Sequence, residues 1–221
     1  MSSGVRRLRL DDQVLNELAA ATGTLREEGM NRFFEALKNS KILNPLFKAA
    51  GNNMESRLRH RLHDPVKILQ GTEIRPGDTV LEVGCGSGFF TLPTARLIGE
   101  HGRLVAMDVL PAYVERVSQK TRSANLKNVR VMEADALDTG LDAASMNAVI
   151  LFGVIPFPAL PLNRLLPEMH RVLKPEGILA VWLWPPVVHF WVPKSILRSG
   201  LFTYMGKRNS VYNYKRRQVG S

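Results

Sequence analysis

Short apolar runs alternate with helix-like segments through the middle of the chain. The strand-like runs cover residues 79–83, 104–107, 129–132, 148–152 and 178–184. The helix-like segments between them cover residues 89–98, 111–118 and 165–173. Strands that alternate with helices are typical of βαβ units, in which parallel strands form one sheet. The pattern therefore predicts an α/β domain with a doubly wound, mostly parallel sheet.

The two ends of the chain show different patterns. Four large apolar residues near the start share one face of a helix: Met30, Phe33, Phe34 and Leu37. Asp64-Pro65 should end or restart a helix. Near the other end, residues 201–205 and 211–214 are β-prone, and residues 206–210 between them form a turn. We predict an N-terminal helical extension over residues 1–64, an α/β domain over 65–221, and a terminal antiparallel hairpin at the sheet edge.

A glycine-rich turn follows the first predicted strand. Residues 80–88 read Val-Leu-Glu-Val-Gly-Cys-Gly-Ser-Gly, so an apolar strand ends near the acid Glu82 and a glycine then stands at every second position. Glycine allows a sharp turn and a close approach of the backbone to a ligand. The dinucleotide fingerprint G-x-G-x-x-G is not met, because Phe89 stands where its third glycine belongs. The spacing favours a ligand built from a nucleoside and an amino acid, without phosphates.

This segment resembles motif I of the class I S-adenosylmethionine (AdoMet)-dependent methyltransferases, and further motifs follow in the same order. Residues 103–108 resemble the second strand of that family, whose terminal acid, here Asp108, holds the ribose hydroxyls. Residues 131–136 resemble the segment in which an aspartate, here Asp135, receives the adenine amino group. Residues 147–153 resemble the fourth strand, beside the methionine moiety and the methyl acceptor. Residues 172–177 resemble the turn before the fifth strand, which normally ends Pro-Gly-Gly.

The resemblance covers roughly residues 65–217 and is nearest to small-molecule methyltransferases of the quinone-biosynthesis type. It implies a Rossmann-like fold and S-adenosyl-L-methionine as the cofactor. It also implies a set of cofactor-binding residues: Glu82, Gly84, Cys85, Gly86, Gly88, Phe89, Asp108, Val109, Asp135, Ala136 and Phe152.

Several of these side chains have a second interpretation. Glu82 could face solvent at the strand end instead of the ligand. Cys85 is expected to be a small packed residue and not a nucleophile, since methyl transfer needs no covalent enzyme intermediate. His170 is expected at the surface, and a catalytic role for His189 is disfavoured. We assign no catalytic residue and predict no metal site.

The charge of the chain is uneven. The formal net charge is +10, and residues 183–221 hold seven Lys or Arg and no Asp or Glu. Such a field attracts nucleic acid, anionic lipid or acidic substrates, although it also serves as a solubilising surface. The single cysteine excludes an intramolecular disulfide. With neither a secretory signal nor a transmembrane helix in the sequence, we expect a cytoplasmic protein, with peripheral membrane association as the alternative.

The acceptor is expected to be small and apolar or aromatic. Large apolar residues cluster near the ends of the fourth and fifth strands: Phe152, Ile155, Phe157, Trp182, Trp184, Phe190 and Trp191. Core packing is an equally good interpretation of Trp182 and Trp184. Residues 152–157 lack the Asp/Asn-Pro-Pro-aromatic motif of amino-methylating DNA enzymes, and one cysteine cannot supply the pattern of arsenic methyltransferases.

The sequence therefore predicts an AdoMet-dependent methyltransferase that acts by in-line displacement. Two alternatives stay open: an RNA methyltransferase that uses the basic C-terminal tail, and a non-catalytic AdoMet-binding module associated with a membrane. The N-terminal extension has two interpretations as well. It forms a lid over the acceptor site, or its apolar face enters an anionic membrane surface with Lys38, Lys41 and Lys48 at the headgroups.

Overall fold

The computed structural model describes residues 63–155, 160–183, 189 and 192–218. Several predicted features lie outside these residues: the apolar face at residues 30–37, and Phe157, Trp184, Phe190 and Trp191. Within the described ranges, no helix has the length and apolar character needed to pass through a bilayer.

One seven-stranded sheet organises the described part of the chain. Its strands are β1 (Thr79–Val83), β2 (Arg103–Asp108), β3 (Val129–Glu133), β4 (Met146–Phe152), β5 (Leu173–Trp182), β6 (Phe202–Arg208) and β7 (Val211–Arg216). They lie in the order β3-β2-β1-β4-β5-β7-β6. The first five strands are parallel, whereas β7 is antiparallel to both β5 and β6. The predicted doubly wound sheet and its terminal hairpin are confirmed.

Five helices accompany the sheet: α1 (Pro65–Leu69), α2 (Thr91–Ile98), α3 (Pro111–Ser123), α4 (Leu162–Val172) and α5 (Val192–Arg198). Helix α1 restarts at Asp64-Pro65 as predicted, because Asp64 Oδ1 accepts hydrogen bonds from the amides of Val66 and Lys67. Helix α5 was not predicted from the sequence. Only Val192 and Ile196 of its seven residues are buried, and two apolar positions are too few to reveal a helical period.

The sheet is buried on both faces. On β4, Val149 and Leu151 point into a core shared with Leu165 of α4 and Ile196 of α5. Alternate residues of the same strand point the other way, into a core shared with α2. Because both faces are covered, a ligand reaches the sheet at the ends of its strands. The strand order reverses between β1 and β4, and this switch point at the carboxyl edge is where open α/β sheets bind ligands.

The hairpin turn is shorter than the sequence predicted. Gly206, Lys207 and Arg208 belong to β6, and Lys207 and Arg208 pair with the first residues of β7. The turn itself is Asn209-Ser210, whose φ angles are +46° and +65°. Two positive φ angles are typical of the tight turns that match the twist of a hairpin. The prediction of a turn over 206–210 was therefore wrong, since glycine and charged residues in a row do not exclude an exposed edge strand.

The segment that follows α1 packs against this hairpin. The Nδ2 of Asn213 donates to the Gly71 carbonyl at 2.8 Å, and the guanidinium of Arg208 donates to the Thr72 carbonyl at 2.7 Å. A Cβ at Gly71 would overlap the Arg208 carbonyl, so the two backbones are in close contact. Upstream, the ring of His63 lies 5.2 Å from the ring of Trp182, the last residue of β5. The chain therefore enters the described region beside the carboxyl edge of the sheet.

One departure from the family pattern has an energetic consequence. Glu176 stands where Pro-Gly-Gly would have its first glycine, and its φ is +66°. A side chain in this left-handed region costs about 1–2 kcal/mol. We expect the free energy of unfolding of Glu176→Gly, measured with denaturant, to exceed that of Glu176→Ala by about 1 kcal/mol. Both variants lose the ion pair with Lys215, so their difference isolates the backbone. Equal unfolding free energies would contradict the strain.

Candidate active site

The glycine turn links β1 to α2 at the switch point. Gly84 and Gly86 have φ angles of +68° and +51°, which L side chains rarely adopt. Their surroundings differ. A Cβ at Gly84 would overlap Cγ1 of Val154, whereas a Cβ at Gly86 would meet no atom within 4 Å. Gly84 therefore lets the loop after β4 approach closely, and Gly86 borders open space that a ligand can occupy.

Asp108 ends β2 and clamps the glycine turn. Its Oδ2 accepts a hydrogen bond from the Gly86 amide at 2.9 Å, and its Oδ1 accepts one from the Leu110 amide at 3.0 Å. Burial raises the pKa of this carboxyl group, and the amides of Leu110, Gly86 and Val109 counteract that rise. A carboxylate has about four lone-pair positions, so each oxygen keeps one for a further donor. The geometry thus leaves room for the two ribose hydroxyls that the resemblance implies.

Glu82 is buried beneath the same turn. It is 4% exposed, and its Oε2 has no hydrogen-bond partner among the described residues. Its pKa is raised from the ordinary 4.5 to about 8. Burial is the largest cause, the Thr91 hydroxyl opposes the rise, and the charge of Asp108 adds to it. The Thr91 hydroxyl approaches the carboxyl group without reaching hydrogen-bond geometry, so the burial effect dominates. The solvent-facing interpretation of Glu82 is therefore wrong.

Cys85 is a packed side chain. It is buried against Ala106 of β2 and Val117 of α3. Burial, with smaller contributions from Glu82 and Asp108, raises the pKa of its thiol far above its usual range. A thiol that stays protonated is a poor nucleophile, which agrees with the packing role expected from the sequence.

Three further predicted residues follow the carboxyl ends of β2 and β3: Val109, Asp135 and Ala136. Asp135 is exposed, and its Oδ1 accepts a hydrogen bond from the Leu137 amide at 2.9 Å. Its carboxylate closes a local turn and has acceptor capacity left for another donor. Ala136 is buried and Val109 is 39% exposed. The fold thus brings Glu82, the glycines and Asp108 together, and places Asp135 two residues beyond the end of β3.

Aromatic rings pack together near the ends of β4 and β5. Phe90 contacts both Phe152 and Trp182 edge to face, with ring centroids 4.9 Å and 5.8 Å apart. Phe89 stacks on Phe90 in the same way, at 4.9 Å. Phe152 and Trp182 are 7% and 5% exposed, so both contribute to the core on the α2 face. For Trp182, core packing is the interpretation that the structure supports.

Sequence reasoning missed three participants. Val154 holds Gly84 from the loop after β4, Thr91 approaches Glu82, and the Leu110 amide orients Asp108. A hydroxyl at the first position of α2 was a visible signal for Thr91. Nothing in the sequence indicates Val154, because its contact depends on how the loop after β4 folds back. The Leu110 contact is local, since Leu110 lies two residues after Asp108 and an aspartate commonly accepts from the amide at that spacing.

His189 and His170 lie away from the glycine turn. His189 Nδ1 is 2.9 Å from the Tyr212 hydroxyl, on the hairpin. Its pKa is lowered by burial and by Lys207, and a backbone hydrogen bond with Leu183 partly counteracts this. His170 is half-buried, with Nε2 2.8 Å from the Arg217 carbonyl, so it is less exposed than expected.

The burial of Glu82 predicts an unusual pH dependence of stability. Its folded-state pKa of about 8 exceeds the ordinary 4.5, so the folded state binds the proton more tightly. Stability should therefore fall as the pH rises from 4.5 toward 8. Glu82→Gln cannot ionise, and its stability relative to wild type should increase across this range by up to about 5 kcal/mol. Urea unfolding measures the difference.

An exposed carboxyl group supplies the control. Glu133→Gln, at the end of β3, removes an acid that is exposed to solvent. Its stability profile should run parallel to that of wild type. If the Glu82→Gln profile also runs parallel, burial does not raise the pKa of Glu82 as the structure implies.

Known proteins resemble this chain in sequence. Residues 80–177 match the family model described as a methyltransferase domain. The chain is 33% identical over 136 residues to a 2-phytyl-1,4-naphtoquinone methyltransferase of a Nostoc species, covering 59% of this chain and 56% of that protein. It is 27% identical over 128 residues to the demethylmenaquinone methyltransferase of Staphylococcus carnosus, covering 58% and 51%. The chain thus spans about half the length of these curated relatives.

A solved structure agrees in fold. A SAM-dependent methyltransferase from Aquifex aeolicus superimposes with a TM-score of 0.64 at 24% identity. The match covers 76% of this chain and 96% of that one. At this identity the likeness concerns the fold, which it places among Rossmann-like methyltransferase structures.

Proposed function

We propose that this chain, whose residues 80–177 match a methyltransferase domain, uses AdoMet to transfer a methyl group to a small apolar or aromatic acceptor. When bound, AdoMet supplies a methyl group on a cationic sulfur. The positive charge is dispersed as the sulfur–methyl bond breaks and the acceptor–methyl bond forms. The protein therefore contributes mainly orientation of the reactants and exclusion of water. The proposal assigns no general base.

The observation that carries the proposal is the pair of buried carboxyl groups at the glycine turn. Glu82 has an unpartnered buried oxygen, and Asp108 keeps acceptor capacity beside it. Each raises the energy of ionising the other, so the pair favours a ligand that brings positive charge. AdoMet carries an ammonium and a sulfonium. A dinucleotide would instead bring an anionic pyrophosphate toward two buried acids, which opposes NAD binding.

The space around Gly86 supports the same ligand. Its amide is held by Asp108, and the position of its missing Cβ is open. AdoMet can therefore lie directly on the backbone of the turn while its ribose reaches Asp108. The apolar end of β4, with Phe152 and Ile155 buried, supports an apolar acceptor. The quinone substrates in the names of two relatives support this class of acceptor as well.

Cofactor binding tests this proposal. Purified wild-type protein should bind AdoMet and its demethylated product in a calorimeter, and should not bind NAD. Gly86→Val should abolish binding, because the side chain fills the open space on the turn. Gly140→Val is the matched control, since Gly140 has a similar φ of +66° and equally open surroundings in the loop between β3 and β4. It should share the backbone strain and keep its affinity.

Two outcomes would count against the proposal. If Gly86→Val stays folded by circular dichroism and binds AdoMet as wild type does, the ligand does not lie on this turn. If wild type binds NAD in preference to AdoMet, the charge argument from Glu82 and Asp108 fails.

We further propose that residues 1–64 cover the acceptor site as a lid. The support is the contact between His63 and Trp182, which brings the chain into the described region at the carboxyl edge of β5. The competing hypothesis, in which Lys38, Lys41 and Lys48 meet an anionic membrane, predicts loss of vesicle binding when these residues are removed.

A shortened chain that begins at His63 tests the lid. It should keep its AdoMet affinity, because the turn and Asp108 remain, and should lose methyl transfer because water enters the acceptor site. The measurement is incorporation of labelled methyl groups from AdoMet into a lipid extract from quinone-producing bacteria. Equal incorporation by both chains contradicts the lid, and no incorporation by either contradicts the apolar acceptor.

A further inference from the structure

The outer edge of the sheet carries exposed apolar side chains among cations. We call this surface the basic edge. It consists of Lys194, Leu197, Arg198, Tyr204, Met205 and Lys207, on α5 and β6, and all six are exposed. Leu197, Tyr204 and Met205 are 44%, 44% and 49% exposed. Of the large apolar residues that are exposed in the described part of the chain, only Val66 and Val109 lie elsewhere.

The fold orients this surface outward. In α5, Val192 and Ile196 are buried in the core that also contains Phe202 at the start of β6. Lys194 and Arg198 are four residues apart and therefore share the opposite, exposed side of the helix. Six of the seven residues of β6 are not buried, and within the described chain this strand pairs with β7 alone.

The charge of the surface is largely uncompensated. Residues 183–221 hold seven cations and no acid. Among the described residues, acids from elsewhere pair with two of these cations: Glu73 lies 3.3 Å from Arg208, and Glu176 pairs with Lys215. Lys207 lies 4.6 Å above the ring of Tyr212, a contact that leaves its positive charge in place.

We propose that the basic edge docks on an anionic membrane surface. Leu197, Tyr204 and Met205 enter the headgroup region, and the three cations contact lipid phosphates. Each Lys or Arg near an anionic leaflet contributes about 1 kcal/mol, and the buried apolar area adds to it. This membrane contact is separate from the proposed methyl transfer and would form without it. It would deliver an apolar acceptor from the bilayer to the site.

Two other occupants fit less well. A second copy of the chain would bring the same cations together across a two-fold axis, and like charges repel there. Nucleic acid would use the cations, but it leaves Leu197 and Met205 without a role, because neither side chain stacks on bases. The combination of apolar and basic residues therefore favours lipid.

Vesicle sedimentation of the full chain tests the proposal. Wild type should sediment with vesicles of phosphatidylglycerol and phosphatidylcholine in equal parts, and not with phosphatidylcholine alone. A charge variant, Lys194→Gln with Arg198→Gln and Lys207→Gln, should bind on the order of 100-fold more weakly. An apolar variant, Leu197→Ser with Tyr204→Ser and Met205→Ser, should bind on the order of 10-fold more weakly.

Matched variants separate this surface from net charge and general stickiness. Arg103→Gln with Lys127→Gln and Arg130→Gln removes three exposed cations at the opposite side of the sheet. Val66→Ser removes an apolar side chain that is 53% exposed. Both controls should stay within about threefold of wild type. Calorimetry with AdoMet on every variant reports the cofactor site, so a failure of the proposed function is read independently of vesicle binding.

Four results would overturn the proposal. The first is that wild type does not sediment with anionic vesicles, and the second is that both basic-edge variants bind them as tightly as wild type does. Equal losses in the charge variant and its control would mean that net charge alone acts. If the apolar variant binds vesicles normally while the charge variant loses binding to a single-stranded RNA, the surface recognises nucleic acid instead.

Discussion

The burial of two carboxyl groups beneath one backbone turn is the constraint on which the site depends. Glu82 and Asp108 lie on the same face of adjacent strands, each largely removed from water. A buried carboxylate is costly unless donors or opposite charge compensate it. Asp108 finds two amides, whereas Glu82 Oε2 finds no described partner. Burial therefore favours the protonated form of Glu82 up to a pH of about 8, and a positive charge beside it would favour the ionised form.

The architecture of the sheet explains why the two buried carboxyl groups lie at the edge where a ligand can bind. Burial on both faces leaves strand ends as the sites of ligand access, and the reversal of strand order between β1 and β4 opens a crevice there. The Asp108 carboxylate then ties the glycine turn to the end of β2. Val154, from the loop after β4, closes on Gly84 from the other side. Three neighbouring strands thus hold one turn, which keeps the open position at Gly86 available.

The hairpin of β6 and β7 extends the sheet beyond β5, and the segment after α1 packs against it. Asn213 and Arg208 fasten the segment after α1 to β7 and β6, and His63 is thereby held beside Trp182. The carboxyl end of β4 consequently lies between the glycine turn, which follows β1, and the place at the end of β5 where the described chain enters.

Local chemistry was enough to predict much of this protein. The family resemblance, and not local chemistry, implied the ribose role of Asp108. Five apolar runs indicated a parallel sheet, and the glycine spacing indicated a turn that accepts a ligand. These features act over a few residues, so periodicity and spacing reveal them. The hairpin was visible for the same reason, although its turn proved shorter because Lys207 and Arg208 continue the ladder of β6.

Tertiary structure decided the rest. Whether Glu82 meets solvent or is buried depends on β2, β4 and α2, which no pattern around residue 82 can specify. The insertion of β7 between β5 and β6 follows from the crossover through α5, a helix too short to show its period. Val154 approaches Gly84 only because a distant loop folds back. Sequence determines what each segment prefers, whereas long-range packing determines which groups lose water, and that loss sets the charge of the site.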